Sequence, residues 1–387
     1  MKQLAAAAGL VALSASAVTA GGIDRSRLNY GILFEKGSYV ELGTSRVMPD
    51  VSGTFIPAFG GISTGNMAGD YSTYSLSYKQ DLNDKLSFGL FLNTPYGADA
   101  SYGTGIYTGL RAEWDSSQIT GILRYEVTPS VSVYGGLRYL RSKASISIPD
   151  TLIRGGLAAA GAAGNAQAAA IAAGAPPGSL KYTATGETDG RVGFIVGAAY
   201  EKPEIALRVG LTYESGITHK FNTTEFIAAV PSISGIGTTS VEMPKTVTLD
   251  FQSGIAKDTL LFGAIRWSEW SVWEVRPPGY NALTGSDITS FDDNVMAYQL
   301  GVGRKLNDNW SVFARASYEE SKGGIASRLS PTDGQKSFGI GGSYTKDALK
   351  ITAGLEYIDL GDALDGSGTK FAGNHAVGFG LSVGYRF

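Results

Sequence analysis

The end of the chain alternates with a period of two. Val377, Phe379, Leu381, Val383, Tyr385 and Phe387 fall on one face of an extended strand, and Ala376, Gly378, Gly380, Ser382, Gly384 and Arg386 fall on the other. The same dyad recurs in Ile119, Leu123, Tyr125 and Val127, in Val131, Val133, Leu137 and Tyr139, in Met296, Tyr298, Leu300 and Val302, and in Ile351, Ala353, Leu355 and Tyr357. Polar or charged residues take the opposite face each time: Arg124 and Glu126, Arg138, Gln299, and Lys350, Thr352 and Glu356. In water a greasy strand face meets a protein core; in an outer-membrane barrel it meets lipid, and the polar face lines the lumen. The period alone does not separate the two.

The connections carry the next clue. Short ones lie near Asn83-Asp84, Thr128-Pro129-Ser130, Lys202-Pro203, Lys257-Asp258, Asn307-Asp308-Asn309 and Lys346-Asp347. Long stretches rich in Gly, Ser and Asp separate them, around residues 53 to 68, 97 to 110, 150 to 180, 219 to 240, 277 to 291, 321 to 334 and 361 to 370. Six tight turns and seven long loops join fourteen strands with both ends on the short-turn side, which a closed barrel with periplasmic turns and extracellular loops requires. The expected strands are 39–52, 69–82, 85–96, 111–127, 131–149, 181–201, 204–218, 241–256, 259–276, 292–306, 310–320, 335–345, 348–360 and 371–387. Several exceed the ~9 to 11 residues needed to cross the hydrocarbon and should project beyond the outer leaflet. The predicted fold is thus all-β: a 14-stranded antiparallel transmembrane β-barrel over residues 39–387, closed so that no strand edge meets lipid.

A lumen of that girth is too wide for its wall side chains to fill, so it must be plugged or it leaks. Residues 21–38 are the candidate hatch: Ile23, Leu28, Tyr30, Ile32, Leu33 and Phe34 stand among Asp24, Arg25, Arg27 and Glu35, too apolar for a solvated tail. The alternative is a strand extension along the periplasmic rim. Upstream, Lys2, an apolar run from Leu4 to Leu13 and small residues ending at Ala20 fit an export signal over residues 1–20. That run is too short for a helical span, and no later window is long and apolar enough for one. Export together with a barrel places the chain in the outer membrane of a Gram-negative bacterium.

Composition narrows the function. Charged residues make up 17%, below the ~25% of ordinary soluble domains. The 32 basic and 35 acidic residues are dispersed, which leaves no footprint for nucleic acid. With no Cys and two His there is no thiolate chemistry and no transition-metal pattern, and no motif implies a cofactor or an energy source. An outer-membrane lipid hydrolase would need His beside a Ser nucleophile, and neither His219 nor His375 has a Ser at telling spacing.

Several segments resemble the FadL-type outer-membrane transporters of long-chain fatty acids and other hydrophobic compounds. The best marked is a hairpin running from Met243-Pro244-Lys245-Thr246-Val247-Thr248-Leu249 through Ala256-Lys257-Asp258-Thr259-Leu260-Leu261-Phe262-Gly263 to Arg266-Trp267-Ser268-Glu269-Trp270-Ser271. Gly31-Ile32-Leu33-Phe34-Glu35, Asn93-Thr94-Pro95-Tyr96-Gly97-Ala98-Asp99, Tyr344-Thr345-Lys346-Asp347 and Gly354-Leu355-Glu356-Tyr357 with Leu360-Gly361-Asp362 add to it. The resemblance implies a fourteen-stranded barrel with an N-terminal hatch, apolar capture among outer loops, an inner apolar pocket and lateral exit at a kink in the third strand. That kink would fall at Asn93, Pro95, Tyr96 and Gly97, since Pro cannot donate to a ladder and Gly tolerates unusual dihedrals. The other reading is that Pro95 ends the strand. The better-known members carry a longer hatch with an Asn-Pro-Ala-like motif that is absent here, so hatch contacts and cargo identity do not carry over.

The remaining candidates have two readings each. Ile23, Leu28, Ile32, Leu33 and Phe34 would form the hatch and ligand pocket. The lumen charges Arg124, Glu126, Arg138 and Glu356 either hold a polar head group or pair across the lumen. Trp114, Trp267, Trp270, Trp273 and Trp310 are expected mainly at the lipid interfaces. The Ala-rich stretch from Leu152 to Ala173 is either a small helical lid or a flexible loop. Expected partners are a hydrophobic small molecule, outer-membrane lipid, and the barrel assembly machinery through Phe387. The expected function is a passive channel for hydrophobic compounds; a general diffusion porin, open and ringed by charge, is the alternative.

Overall fold

The computed structural model describes residues 22–387; the export leader read over residues 1–20 lies outside them. Among the described residues one sheet of seventeen segments closes on itself. Three wall strands are each broken in two, so the wall has fourteen: β1 Tyr39–Asp50, β2 Tyr71–Asp81, β3 Leu86–Asn93 with Gly97–Ser101, β4 Arg111–Thr128, β5 Val131–Ile148, β6 Tyr182–Lys202 and β7 Leu207–Glu214 with Ile217–Ile227. Then follow β8 Gly235–Met243 with Thr246–Ala256, β9 Thr259–Ser268, β10 Val295–Lys305, β11 Trp310–Glu319, β12 Gln335–Lys346, β13 Leu349–Leu360 and β14 His375–Arg386. Neighbours are antiparallel throughout, and β14 returns to β1 in an unbroken register from Tyr39↔Arg386 to Asp50↔His375. The short turns sit where the sequence puts them, and two of them place Asp258 and Asp347 at positive φ, which Asp tolerates better than most residues.

The wall is inverted relative to a soluble barrel over its lower half. Leu123, Leu137, Phe194, Leu211, Leu300, Phe338 and Leu355 are exposed on the outside. Thr120, Arg138, Thr212, Arg315, Ser337 and Glu356 are buried inside. That arrangement suits an acyl-chain solvent and a polar lumen. In the upper half of β4–β8 the order reverses. Arg111, Arg141, Lys143, Thr218, Lys220 and Asn222 point outward, and Trp114, Leu140, Ala184, Ile217, Phe221 and Val241 are buried inside. Here the outside is water, and the inside is a conventional apolar core.

This reversal accounts for two differences from the sequence expectation. The stretch 219–240, read as a long loop, is mostly strand, with only residues 228–234 connecting β7 to β8. Lys220, Asn222, Thr224, Thr238 and Ser240 point outward there with only Phe226 and Ile236 as large exposed apolar residues, so the greasy-face rule does not find the strands. The strand expected to run to 276 stops at Ser268, and a 3-10 turn at Trp270–Val272 turns the chain inward over the lumen.

Above the wall, the loops build their own core around Phe55, Tyr107, Leu110, Leu180 and Phe371. The Ala-rich stretch is helical, as α1 Asp150–Ala162 and α2 Ala166–Gly174. A third short helix, α3 Pro278–Thr284, lies in the loop after β9. Asp150 ties α1 to its surroundings: it accepts from Arg154 Nε and Nη2 at 2.9 Å each and from the Leu180 N–H at 2.9 Å. Arg154 also donates to the carbonyls of Ala175 and Pro176 at 3.1 Å each. The Arg154 hydrogen bonds hold the Asp150 carboxyl below its usual pKa. A depressed carboxylate contributes stability that is complete above its unfolded value and is lost as pH falls through the folded one. Proteolytic nicking of the helical hairpin is therefore expected to stay flat down to about pH 4 and to rise only below it, and Asp150→Asn should be nicked equally across the range.

Candidate functional site

The hatch crosses the lumen and is fastened at three levels. Lowest is the 3-10 turn Tyr30–Phe34, opened by the Asn29 side chain, which accepts from the Gly31 N–H at 3.1 Å. Ile32 and Leu33 are buried against Phe91, Ile122, Tyr134, Ile195 and Ala199. Leu33 lies where a Cβ on Gly89 would stand, so only glycine allows this approach. Phe34 sits between the guanidinium groups of Arg124 and Arg208, 4.6 and 4.8 Å from its ring centre.

At mid-height the hatch meets a buried hub of charge. Tyr30 donates to Glu214 Oε1 at 2.8 Å, and Arg138 Nη1 donates to Glu214 Oε2 at 3.0 Å. Arg266 lies 4.0 Å from the same carboxylate and 3.7 Å from Asp24 of the hatch.

The third level is the break in β3. Its pairing with β4 stops at Asn93↔Gln118 and resumes at Gly97↔Asp115, so Pro95 interrupts the strand without ending it. Ser116 replaces the lost ladder bonds, accepting from the Tyr96 N–H at 2.9 Å and donating to the Tyr96 carbonyl at 2.6 Å. Asn93 donates to Ser26 Oγ at 3.1 Å, and the Pro95 carbonyl accepts the Arg25 N–H at 2.7 Å.

Above the hatch lies an apolar pocket. Its wall is aromatic: Trp114, Phe221, Trp273 and Phe291, with Ile23 forming part of the floor. The rings meet edge-on or tilted, with centroids 5.4 Å apart for Trp114 and Phe221 and 4.9 Å for Trp273 and Phe291. Among the described residues no Lys, Arg or His lines it, and Glu113 is the one ionisable residue. An outer groove between α1 and the α3 region shares Ile146, Ile288 and Leu329 with this pocket, so the two are adjacent. A second cavity beside the lower hatch is lined by hatch residues from Arg27 to Phe34 and by Arg208, Arg266, Arg315, Asp250 and Glu356, so it carries charge where the pocket above carries almost none.

The structure separates the residues singled out from the sequence. Of the hatch set, Ile23 alone lines the apolar pocket; Leu28, Ile32, Leu33 and Phe34 sit lower, around the polar cavity and the wall. Asn93, Pro95, Tyr96 and Gly97 meet at the break, with Tyr96 edge-on to Trp270 at 5.9 Å. Among the lumen charges, Arg124 pairs with Glu201 at 2.8 Å, Arg138 with Glu214, and Glu356 with Arg315; Glu126 lies at the turn end of β4. None of the four reaches the apolar pocket. Trp114, Trp270 and Trp273, expected at lipid interfaces, are buried inside, because they lie above the level where the wall reverses. Phe221, Val241 and Phe291 went unnoticed in the sequence. The available signal was an apolar residue opposite a polar outward neighbour, such as Phe221 beside Lys220 and Asn222.

Comparison with known proteins agrees with this architecture. A FadL homologue from Pseudomonas aeruginosa has the same fold with a TM-score of 0.71 at 16% identity, over 92% of this chain and 92% of that one. The toluene transporter TodX of Pseudomonas putida gives 0.66 at 13% identity, over 97% and 99%. The monoaromatic hydrocarbon channel CymD gives 0.59 at 15%, over 91% and 89%. No curated protein sequence is significantly similar to the chain. Residues 12–387 match the family described as outer membrane protein transport protein (OMPP1/FadL/TodX). The chain therefore belongs to that family, as a closed fourteen-stranded barrel of the Gram-negative outer membrane whose lumen is crossed by its own N-terminal segment.

Proposed function

We propose that the protein is a passive channel for uncharged hydrophobic compounds, captured at the outer groove, held in the aromatic pocket and released sideways through the wall between β2 and β3. The observation that carries this reading is the pocket itself, aromatic, lined by no cation of the described residues, adjacent to the outer groove and floored in part by Ile23 of the hatch. Burial worth about 0.8 kcal/mol per CH2 draws an apolar molecule in from water. A fatty acid, the other cargo suggested by the sequence, would find Ser and Thr hydroxyls but no counter-ion for its carboxylate there, which is costly in apolar surroundings. Toluene and monoaromatic hydrocarbons, the cargo of similar barrels, carry no such charge. The exposed Phe387, beside Tyr78 and Tyr385, is proposed as the contact for the assembly machinery.

A staple across the upper wall tests the route. A Cβ built on Gly69 would stand 3.2 Å from that of Asp99, close to the spacing of a disulfide, and the chain has no other cysteine. Gly69→Cys with Asp99→Cys is expected to cut toluene uptake by cells roughly tenfold when oxidised and to recover on reduction, as a closed gate should. Uptake indifferent to oxidation would sink the lateral route. Purified protein should quench its tryptophan emission with toluene but not with a long-chain fatty acid; the reverse preference would refute the neutral-cargo reading.

A further inference from the structure

The ladder between β6 and β7 is interrupted in the upper wall. It runs up to Ile195↔Glu214 and resumes at Gly186↔Thr223, and residues 187–193 and 216–222 form no ladder with each other. Asp189 closes part of this interval with its side chain. Its Oδ2 accepts the N–H of Lys220, the residue that the register places opposite it, at 3.2 Å, and Arg191 Nε and Nη2 hold the two carboxylate oxygens at 2.9 Å each. The same Oδ2 lies 2.9 Å from Nδ1 of His219. An ionised carboxylate only accepts, so Nδ1 carries the hydrogen. His219 has no exposed surface and stacks on Phe221 with ring centres 5.2 Å apart. Arg191 already neutralises Asp189, and a second cation buried against Phe221 would go unsolvated, so the imidazole is neutral and its Nε2 keeps a lone pair.

That lone pair has no donor among the described residues. Trp114 meets the same imidazole edge-on with centroids 6.3 Å apart, and its indole Nε1–H has no acceptor among them. Donor and acceptor thus sit on neighbouring rings without bonding each other. Trp273, 6.1 Å from Trp114, carries another indole N–H without a partner. Buried polar atoms are nearly always paired, so an orphan donor beside an orphan acceptor at the edge of a cavity marks the place of a group that the chain does not supply. Trp114, Trp273 and Phe221 line the aromatic pocket, and His219 lies against Trp114 and Phe221.

We propose that the aromatic pocket is selective for phenols, whose hydroxyl donates to His219 Nε2 and accepts from the Trp114 Nε1–H. The inference rests on the pocket as the cargo site and narrows its cargo to a chemical class. A hydroxyl both donates and accepts while staying neutral. An ether or a ketone accepts only and leaves Nε2 unpaired, and a hydrocarbon leaves both atoms unpaired. The aromatic walls take the ring that bears the hydroxyl. The cargo parts Trp114 and Phe221 to reach the imidazole, and the two bonds it makes there offset the hydration that its hydroxyl gives up. A phenolate is disfavoured, because no cation of the described residues lines the pocket. Asp189 is a positioning residue: it fixes which nitrogen of His219 carries the hydrogen and does not itself touch the cargo.

Calorimetric titration of the detergent-solubilised barrel at neutral pH with para-cresol, para-methylanisole and toluene reads the two bonds separately. The native protein should prefer para-cresol to para-methylanisole roughly tenfold, the discrimination expected where the analogue leaves a buried acceptor unpaired. His219→Phe keeps a ring stacked on Phe221 and leaves Asp189 bonded to Arg191 and the Lys220 N–H. It should erase that preference and change toluene affinity by less than about twofold. Trp114→Phe removes the indole donor and should weaken para-cresol and para-methylanisole more than toluene. Heat-resistant migration on gels confirms that each barrel is folded. If para-cresol affinity relative to toluene is unchanged in both folded variants, the orphan pair holds a bound water; phenol selectivity is then overturned while the channel for uncharged compounds stands. An equal loss for all three ligands in His219→Phe would make the imidazole a packing residue and overturn the proposal too. Should none of the three bind the native barrel, the pocket is not the cargo site and the function proposed above fails with it.

Discussion

Glu214→Ala is expected to turn a nearly silent barrel into an ion-conducting one. Glu214 ends the lower half of β7, where its carboxylate takes Tyr30 of the hatch at 2.8 Å and Arg138 of β5 at 3.0 Å. Arg266 stands 4.0 Å away and reaches Asp24 at 3.7 Å. Removing one member of a buried ion pair strands the other and costs on the order of 3–5 kcal/mol, more than the pair itself contributes. The wall has an alternative to carrying that cost: its strands stay bonded to both neighbours, whereas the hatch is held by side-chain contacts and a few backbone bonds. The strain should therefore appear as undocking of residues 22–34, not as loss of the barrel. Planar-bilayer recordings should show small, infrequent currents for the native protein and large ones for the variant, with Glu214→Gln between them because an amide still accepts from Tyr30. Equal currents in all three would reject the hub as the hatch anchor, and a large steady current in the native protein would favour a diffusion porin.

The second large effect tests where the lipid ends. Leu137 is 64% exposed at mid-β5, flanked in register by Gly121 of β4 and Phe194 of β6. Leu137→Arg places a charge in the hydrocarbon at a cost of about 2–4 kcal/mol. Thr218→Arg puts the same charge on the outside of β7, above the level where the outward face turns polar, and should cost close to nothing. Folding yield into lipid vesicles, titrated with urea, reads both. Equal tolerance of the two substitutions would mean that the reversal in the upper wall does not mark the water boundary.

How much was legible follows from what alternation measures. A period of two with charge opposite grease identifies a strand only where one side meets lipid. It therefore recovered the lower wall, as in Leu137 against Arg138 and Leu355 against Glu356, together with the tight turns that join those strands. It failed at β7 above Glu214, where Thr218, Lys220 and Asn222 face water and the strand looked like a loop. Trp114, Trp270 and Trp273 depart from the lipid-interface expectation for the same reason, whereas Trp310 is exposed. Trp270 and Trp273 were assigned to an interface by residue type, yet the strand bearing them ends at Ser268 and the chain turns inward.

Strand number, closure and membrane were written in the sequence alone, because each depends on local periodicity and on the lengths of connections. At Pro95 the sequence allowed either a break or a strand end, and the resumed pairing at Gly97↔Asp115 decided for the break. Which residues face one another across the lumen was decided only by the tertiary structure. Ile23 meeting the aromatic pocket, Tyr30 meeting Glu214 184 positions away, and Arg25 bridging β2 and β3 all depend on how a hatch without repeating pattern threads a closed wall. Such contacts join residues far apart in the chain, and no local spacing encodes them.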